Sequence, residues 1–463
     1  MERRAAAFAF ARSVINTKYE DMPAEAVDIT KKDILDTLGI AIAASKEPAS
    51  EEIVELSREW GGKAESTILA FGDKVPAQMA AFINGTMAHA LDYDDTHDKG
   101  IIHVGSSVVS ASFAIAERLG KVNGKTLITA VALGDEMMCR MALATKAGPQ
   151  TSGWHMTASY GYFGAAAAAS KILALDESQV INAFGIAYSQ SAGNMQCVID
   201  NETALTKPLQ VGFAAQGGVM STLLSQKGLT GAQNSLEGRF GLFNLHHGGD
   251  YDRSALTDGL GEEFQMVNLS FKPYPCVRAA HLYIDAALQV VRDHNIRPED
   301  IEEVTVFVNT KPHWLCYPLD LRRRPSEVVH AQFSIPYTVA VAILRGKVTI
   351  DDFTPKGIRD EKALAIAQKV TPKYDPTLST RELPPARIEV KMNNGEIISS
   401  KLVTFAKGHP ENPMSWDDLA AKFRDCAAHS IKPLRKGNIE RVIDMTKNLD
   451  EVADVSEITQ LLH

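Results

Sequence analysis

The stretch that most constrains the fold is the run Gly-Ala-Ala-Ala-Ala-Ala-Ser at residues 164–170, in which every side chain is small. Five consecutive alanines favour a helix by intrinsic propensity alone. Propensity does not explain why large side chains are missing from every face of the segment. Because the distance between packed helices depends on the side chains at their contact, the run predicts a buried helix in a crowded helical bundle.

Helical periodicity extends along the chain on both sides of this run. Pro23 at a predicted helix start is followed by apolar residues near the 3.6-residue period of a core-facing stripe. Further helices are predicted at 77–91, 107–119, 124–146, 155–172, 178–189 and 208–225. Residues 1–268 are therefore predicted to form the first part of a large all-helical domain.

The pattern changes after about residue 269. Valine occupies every second position of residues 304–308, which is the period of a half-buried strand. The turn signal Asn-Asn-Gly at 393–395 separates two further predicted strands, at 387–391 and 396–403. Residues 269–404 are therefore predicted to form a smaller, inserted α+β lid domain.

Helical signals return near the end of the chain. Ser415 with Asp418 three positions later resembles a capping box, and an amphipathic pattern follows around Val442. Residues 405–463 are predicted to rejoin the first helical segment as the second part of its domain. The predicted fold class is thus mainly α, with one helical domain built from both chain ends.

Composition limits the functions open to this chain of 463 residues. Its net charge of -9 argues against nonspecific nucleic-acid binding, which needs a basic surface. No apolar run reaches the roughly 18 to 20 residues that span a bilayer, and we identify no signal peptide. The five cysteines are far apart without a CxxC pair, which favours a reducing cytoplasm and argues against a thiolate zinc site.

The segment at residues 89–103 carries the densest group of titratable side chains. Burying carboxylates is costly unless they are paired, and an ordinary solvated loop has no need of several histidines. Interacting histidines and aspartates are the means by which proteins transfer protons near neutral pH. The segment is predicted to follow a helix end and to carry the chemistry; its titratable residues include His89, Asp92, Asp94, Asp95, His97 and His103.

Other positions add candidates for binding an anion. His155 precedes the small-residue helix, so it is predicted to lie near a helix N-terminus, which attracts anions. Lys207 stands before another apolar helix, and Lys272 and Arg278 flank a proline-rich segment. Lysine and arginine at these positions are candidates for holding carboxylates, arginine in a bidentate way.

Metal and nucleotide chemistry are less favoured by the motifs. His97 and His103 with one aspartate could form a facial triad, but no fixed ligand spacing such as H-E-x-x-H is present. We also find no Walker A motif, no G-x-G-x-x-G after a strand and no G-x-S-x-G elbow. The residues therefore predict acid–base chemistry on a small anionic substrate, with a metal site as the less favoured alternative.

Several motifs together are similar to the MmgE/PrpD family, which includes 2-methylcitrate dehydratase, cis-aconitate decarboxylase and iminodisuccinate epimerase. They occur in family order along nearly the whole chain, at residues 84–97, 163–171, 206–208, 271–276 and 407–415. The resemblance implies a cofactor-free homodimer with its active site between a helical domain and a lid. The site residues it implies are Asp92, Thr96, His103, His155, Lys207 and Lys272.

Two positions depart from the family patterns. Residues 92–97 read D-Y-D-D-T-H, where methylcitrate dehydratases carry D-W-N-D-T-W. Val277 stands where cis-aconitate decarboxylases have a histidine, and His281, one helical turn further on, is a candidate to replace it.

Roles follow for each candidate residue. His103 and His155 are the predicted acid–base pair, and Asp92 and Thr96 are predicted to orient an imidazole or bind a substrate hydroxyl. Carboxylates of the substrate are predicted to bind Lys207, Lys272 and Arg278.

Three functions remain open at this point. The leading one is a lyase that dehydrates or decarboxylates a citrate- or aconitate-like acid. The second is a cofactor-independent epimerase of an aspartate- or succinate-like dicarboxylate. The third, a noncatalytic binder of polycarboxylates, is the least favoured because the acid–base set is intact.

Overall fold

A computed structural model describes residues 5–199, 206–310, 312–379 and 383–463. Helix accounts for 58% of the structure and strand for 9%, so the prediction of a mainly helical protein with a small sheet is confirmed. The chain divides into two compact units. One runs to Leu269 and resumes at Ser415, and the other comprises Ser270–Met414.

The first unit is mainly helical, with a few short strands. The six helices predicted between residues 77 and 226 are confirmed, with ends displaced by at most two residues. Its helices up to Leu269 are α1 (Ala6–Asn16), α2 (Ala24–Ala43), α3 (Ser50–Trp60), α4 (Ala77–His89), α5 (Gly105–Leu119), α6 (Gly124–Ala144), α7 (Pro149–Ser152), α8 (Met156–Ile172), α9 (Glu177–Tyr188), α10 (Gln196–Ile199), α11 (Thr206–Gln226), α12 (Leu242–His247) and α13 (Arg253–Thr257). Its short strands are β1 (Ser66–Thr67), β2 (Lys74–Val75) and β3 (Thr96–His97), and β4 (Leu269–Ser270) lies where the two units join.

The small-residue run lies on α8, which is buried along nearly its whole length, as predicted. Close packing against α6 explains the absence of large side chains. A Cβ atom on Gly164 would lie 2.6 Å from the side chain of Met138. One on Gly134 of α6 would lie 2.7 Å from the carbonyl oxygen of Gly164. The two helices therefore meet backbone to backbone.

The second unit is an α+β structure around one sheet. Its helices are α14 (Arg278–His294), α15 (Leu319–Arg323), α16 (Val328–Gln332), α17 (Ile335–Arg345) and α18 (Glu361–Ala367). The sheet has the order β6-β5-β7-β8, formed by β5 (Ile301–Val308), β6 (Val370–Tyr374), β7 (Arg387–Met392) and β8 (Ile397–Ser399).

The predicted strand and hairpin are both present in this sheet. Strand β5 is parallel to β6 and antiparallel to β7, so Val304 lies opposite both Val370 and Val390. Strands β7 and β8 form the predicted hairpin, with Val390 opposite Ile398. The alternate valines of β5 are buried in a core shared with α14 and α17, which is why every second position is apolar.

The first unit resumes with α19 (Trp416–Ala428), α20 (Lys436–Lys447) and α21 (Ser456–Gln460). The predicted capping box is present, since the hydroxyl of Ser415 accepts from the Asp418 amide and the Asp418 carboxylate accepts from the Ser415 amide. Helix α19 packs closely on α2, where a Cβ atom on Gly39 would lie 2.9 Å from the ring of Phe423.

Candidate functional site

The titratable segment lies between two helices of the first unit. Helix α4 ends at His89 and α5 begins at Gly105, so the titratable residues of this segment after His89 lie in the connection between the two helices, as predicted. Asp95 joins this connection to α5, because its carboxylate accepts hydrogen bonds from the amides of Val104 and Gly105, both at 3.0 Å. A carboxylate at a helix N-terminus satisfies free amides and complements the helix dipole.

A lysine from the returning C-terminal segment holds the same connection. Lys422 of α19 donates to the carbonyl oxygen of Tyr93 at 2.9 Å, and its ammonium lies 3.7 Å from the centre of the Tyr93 ring. The charge of Lys422 is balanced by Asp36 of α2 at 2.6 Å. Asp92, just before, has a φ of +51°, a conformation that aspartate tolerates better than most residues. The loop is therefore held in one defined conformation.

The hydrogen-bond contacts of His103 determine which of its ring nitrogens carries the proton. Its Nδ1 lies 2.5 Å from the carbonyl oxygen of Asp95, which only accepts hydrogen bonds, so Nδ1 carries the proton. The hydroxyl of Thr96 lies 3.2 Å from the same nitrogen, and the His103 amide donates to Thr157 at 3.2 Å. In the neutral ring the other nitrogen, Nε2, therefore has the lone pair that can accept a proton.

His155 is the residue that precedes the first turn of α8, as the sequence predicted. It is buried, and its Nδ1 has no hydrogen-bond partner within the described part of the chain. Burial is the main reason why the pKa of His155 lies well below its usual value, and the imidazole of His89 and the ammonium of Lys207 lower it further. His155 is therefore neutral at physiological pH and suited to accept a proton.

Lys207 and Asp92 form an ion pair at 3.0 Å, although they are 115 positions apart in sequence. Helix α11 begins at Thr206, so Lys207 lies in its first turn and not before the helix, as the sequence had suggested. Burial lowers the pKa of Lys207, but the carboxylates of Asp92 and Asp94 outweigh it and the pKa is raised. Lys207 therefore stays protonated and supplies a positive charge near the histidines.

His89 and Asp94 belong to the same cluster, although the sequence analysis assigned neither of them a role. His89 Nδ1 donates to Asp94 at 2.6 Å, and the hydroxyl of Ser106 donates to the same carboxylate oxygen at 2.7 Å. The centre of the His89 ring lies 5.2 Å from that of His103 and 5.7 Å from that of His155. The imidazoles of His103 and His155 thus both lie beside that of His89. The density of the 89–103 segment was the signal for His89 and His103, whereas His155 was predicted from its position before a helix.

Buried acids on two other helices lie close to this cluster, and the sequence analysis missed them. Asp33 of α2 and Asp135 of α6 are fully buried, and their carboxylate oxygens have no hydrogen-bond partner among the described residues. Burial raises the pKa values of Asp33 and Asp135 well above the usual range, and the nearby carboxylate of Asp95 raises them further. Burial and Asp94 raise the pKa of Asp95 to about 7. For Asp135 the available signal was its position directly after the largely apolar stretch 127–134 of α6, whereas α2 carries several other charged residues and gave no such signal for Asp33.

The remaining two candidates belong to the second unit. Lys272 and Arg278 are both buried, and Arg278 donates to the carbonyl oxygen of Lys407 at 3.2 Å. The segments carrying two of the family motifs also pair here, since the Phe271 amide donates to the carbonyl oxygen of Gly408 at 3.0 Å.

His281 also lies in the second unit and is fully buried. Its Nε2 donates to the carbonyl oxygen of Cys276 at 3.2 Å, and its Nδ1 faces Arg278 at 3.5 Å. Both ring nitrogens are occupied within its own segment, so the contacts of His281 are those of a structural residue.

The described residues also bear on metal binding and on membrane insertion. They contain no group of three or more histidines, cysteines and acids arranged to hold a metal ion. No helix among them is long and apolar enough to cross a membrane. The five cysteines are all buried, and none of them forms a disulfide.

Comparison with protein families gives two matches, which together cover most of the chain. The MmgE/PrpD N-terminal domain matches residues 9–254, and the MmgE/PrpD C-terminal domain matches residues 274–448.

Similar individual proteins include three with assigned names. The human cis-aconitate decarboxylase is 28% identical over 98% of this chain and 93% of its own length. A cis-aconitate decarboxylase-like protein of Aspergillus oryzae is 27% identical over 97% of this chain and 95% of its own length. The 2-methylcitrate dehydratase of Salmonella typhimurium is 21% identical over 84% of this chain and 83% of its own length.

Proposed function

Because the chain belongs to the MmgE/PrpD family, we propose that it is a lyase acting on a small di- or tricarboxylic acid of the citrate or aconitate type. The reaction is proton transfer at a carbon next to a carboxylate, coupled to loss of water or of carbon dioxide. The observation that carries the proposal is the pairing of a neutral, buried His155 with a tautomerically fixed His103 in one cluster that also holds Lys207.

His103 and His155 are the proposed acid and base. In dehydration the base takes the proton from carbon, the carbon–oxygen bond breaks, and the acid protonates the leaving hydroxide to give water. In decarboxylation the electron pair left by departing carbon dioxide is delocalised into a neighbouring unsaturated or carboxyl group, and an imidazolium then protonates carbon. Thr96 keeps the His103 ring oriented through its contact with Nδ1, so Nε2 faces the reacting atoms.

Cationic side chains are proposed to bind the substrate carboxylates. Lys207 is paired with Asp92, so an incoming carboxylate either shares the ammonium with Asp92 or displaces Asp92 from it. The ammonium then stabilises the negative charge of the substrate. A substrate with two or three carboxylates needs more positive charge than one lysine supplies. We assign that role to Lys272 and Arg278, as the motifs predict. Replacing either by methionine is expected to raise KM more than it lowers kcat.

Cis-aconitate is the first substrate to test, and 2-methylcitrate the second. The cis-aconitate decarboxylases are similar over nearly the entire chain, whereas the methylcitrate dehydratase is less identical over a shorter part. The absence of a histidine at Val277 keeps the choice between them open to experiment.

A second candidate function is epimerisation of a dicarboxylate. The positions of His103 and His155, both beside the ring of His89, support it, since removing and returning a proton on opposite faces of a carbon needs two acid–base groups. This reaction uses the same residues and forms no new alkene.

Proton NMR in D₂O separates these functions. Purified protein treated with EDTA is incubated with cis-aconitate, 2-methylcitrate, citrate, tartrate and aspartate-like dicarboxylates. Alkene signals that appear or disappear support the lyase, and deuterium entering one α-position without alkene changes supports the epimerase. Binding without any exchange would identify a polycarboxylate binder, and activity only with added divalent metal would overturn the cofactor-free mechanism.

We also propose a homodimer and a cytoplasmic location. The first rests on the family resemblance and the second on five buried cysteines that form no disulfide. Light scattering of the purified protein tests the dimer, which a monomeric mass would contradict. Subcellular fractionation tests the location, which recovery outside the cytoplasmic fraction would contradict.

A further inference from the structure

His89 occupies the centre of the imidazole cluster, because its ring is close to both members of the proposed acid–base pair. The three rings differ in their access to solvent. The side chain of His89 is 0% exposed, whereas that of His103 is 17% exposed, and His155 is buried. Any proton that reaches His155 from solvent through these rings passes His103 and His89 in turn.

The contacts of His89 leave one nitrogen for proton transfer. Its Nδ1 donates to Asp94, so Nδ1 carries a proton and Nε2 has the lone pair in the neutral ring. Nε2 is buried and has no hydrogen-bond partner among the described residues. A buried ring nitrogen without a partner costs free energy, and a role in the reaction explains why it is retained.

Asp94 is placed to stabilise a positive charge on His89. Its one oxygen accepts from both His89 and Ser106, and its other oxygen lies 3.7 Å from Nδ1 of His103. A carboxylate that accepts the Nδ1 proton of a histidine stabilises the imidazolium formed when the other nitrogen is protonated. Asp94 therefore faces two of the three rings.

The proposed reaction leaves its acid–base pair in the wrong protonation state. After dehydration, the base holds one proton more and the acid one proton fewer than at the start, and the same is true after epimerisation by two bases. We propose that His89 is a positioning residue that relays a proton between His155 and His103 and so resets the pair after each turnover. This inference rests on the proposed function, because it assigns the direction of transfer.

The relay is balanced in protons. His155 imidazolium gives its proton to Nε2 of His89, which becomes an imidazolium paired with Asp94. His89 then passes the same proton from Nε2 to His103, and both donors return to neutral imidazoles. Asp92 and Lys207 also face His89, and they form an ion pair with each other.

Kinetics with His89→Gln test the relay on the full-length protein, with dehydration of 2-methylcitrate as the probe, because decarboxylation takes no proton from carbon and does not leave the pair in this state. Glutamine can still donate to Asp94 but cannot pass a proton on. We expect kcat to fall at least about tenfold with KM nearly unchanged, the effect of losing a positioned proton-transfer group. His97→Gln, which removes another buried histidine of the same segment, is the matched control. A kcat within about twofold of the wild type would overturn the relay.

Chemical rescue separates proton transfer from packing. His89→Gly leaves space for a small ring, and imidazole is expected to restore turnover whereas pyrrole, which has no basic nitrogen, is not. Equal rescue by both molecules, or by neither in a folded protein, would assign His89 a packing role only.

A measurement without substrate keeps this inference distinct from the proposed function. The exchange of the His155 ring N–H with D₂O is followed by NMR in protein labelled with ¹⁵N-histidine. We expect His89→Gln to slow this exchange at least about tenfold, whereas loosened packing would accelerate it. An unchanged or faster rate would overturn the relay even if the protein is a lyase. A slowed rate in a protein that turns over none of the acids would leave the relay standing and remove the proposed function.

Discussion

The ammonium nitrogen of Lys422 lies 2.9 Å from the carbonyl oxygen of Tyr93 and 2.6 Å from a carboxylate oxygen of Asp36. This contact joins α19, near the end of the chain, to the connection that carries the candidate acids and histidines. Tyr93 stands directly between Asp92 and Asp94, which contact Lys207 and His89 respectively. The C-terminal segment therefore holds the backbone from which both contacts are made.

Removing this lysine is expected to destabilise the protein. Lys422→Met leaves Asp36 buried without its cation, which costs about 3 to 5 kcal/mol in comparable buried pairs. Urea unfolding measures the loss, and Lys422→Met with Asp36→Asn is expected to recover part of it because the buried charge is gone. Arg424→Met on the same helix breaks the exposed pair with Glu440 and is the control, with an expected change of about 0 to 1 kcal/mol. Equal losses in the two single variants would contradict this account.

Replacing His103 by alanine is expected to lower turnover at least about a hundredfold, the usual effect of losing a positioned acid or base. Thr96→Val removes a hydroxyl near Nδ1 and is expected to cost about 1 kcal/mol, or roughly a fivefold fall in kcat. Thr96→Ser keeps the hydroxyl and is the control. Steady-state kinetics, followed by the NMR assay, give the kcat of each variant. Near-normal turnover by the alanine variant would remove His103 from the mechanism.

The buried acids predict how stability depends on pH. An acid whose pKa is higher in the folded than in the unfolded chain binds more protons when folded, so its contribution lowers stability as pH rises above the unfolded value. For Asp33 that loss begins near pH 3.8 and continues upward. Asp33→Asn is therefore expected to stabilise the protein more at pH 8 than at pH 5, by about 1.4 kcal/mol for each pH unit in that interval that lies below the folded-state pKa.

Thermal unfolding at the two pH values tests this prediction. The exposed Glu59→Gln is the control, and its effect is expected to be small at both values. A loss of stability in Asp33→Asn that is greater at pH 8 than at pH 5 would show that the carboxylate is ionised and stabilising in the folded protein.

The close contact of α6 and α8 predicts opposite effects at two glycines. Gly134→Ala places a methyl group 2.7 Å from a carbonyl oxygen and is expected to destabilise the protein by about 1 to 3 kcal/mol. Gly437→Ala in α20 meets nothing within 4 Å and is expected to stabilise it by up to about 1 kcal/mol. Urea unfolding compares the two. A stabilised Gly134→Ala variant would mean that the helices can separate without cost.

Local patterns carried the prediction of the fold. The helix positions follow from apolar periodicity and from caps such as Ser415, which act within a few residues and are therefore readable from the sequence. The Asn-Asn-Gly turn predicted its hairpin for the same reason. The start of α11 was misplaced by two residues because Lys207 and Pro208 lie inside its first turn, where proline is tolerated.

The residues of the site were also recognisable from the sequence, but their partners were not. The density of acids and histidines at 89–103 was enough to locate the cluster, because such groups have few other reasons to be adjacent. Pairings such as Asp92 with Lys207, or Tyr93 with Lys422, join residues more than a hundred positions apart. No local pattern specifies them, since they depend on which helices pack together.

What the amino-acid sequence determined by itself is the mainly helical class, the positions of most helices and strands, and the segment where proton-transfer groups are concentrated. The tertiary structure decided which nitrogen of His103 carries its proton, which carboxylate holds His89, and that Asp33 and Asp135 lie buried beside the cluster. The division has a physical reason. Helix formation depends on neighbours three and four positions apart, whereas tautomers and pKa values depend on whatever groups the packed fold brings within a few ångströms.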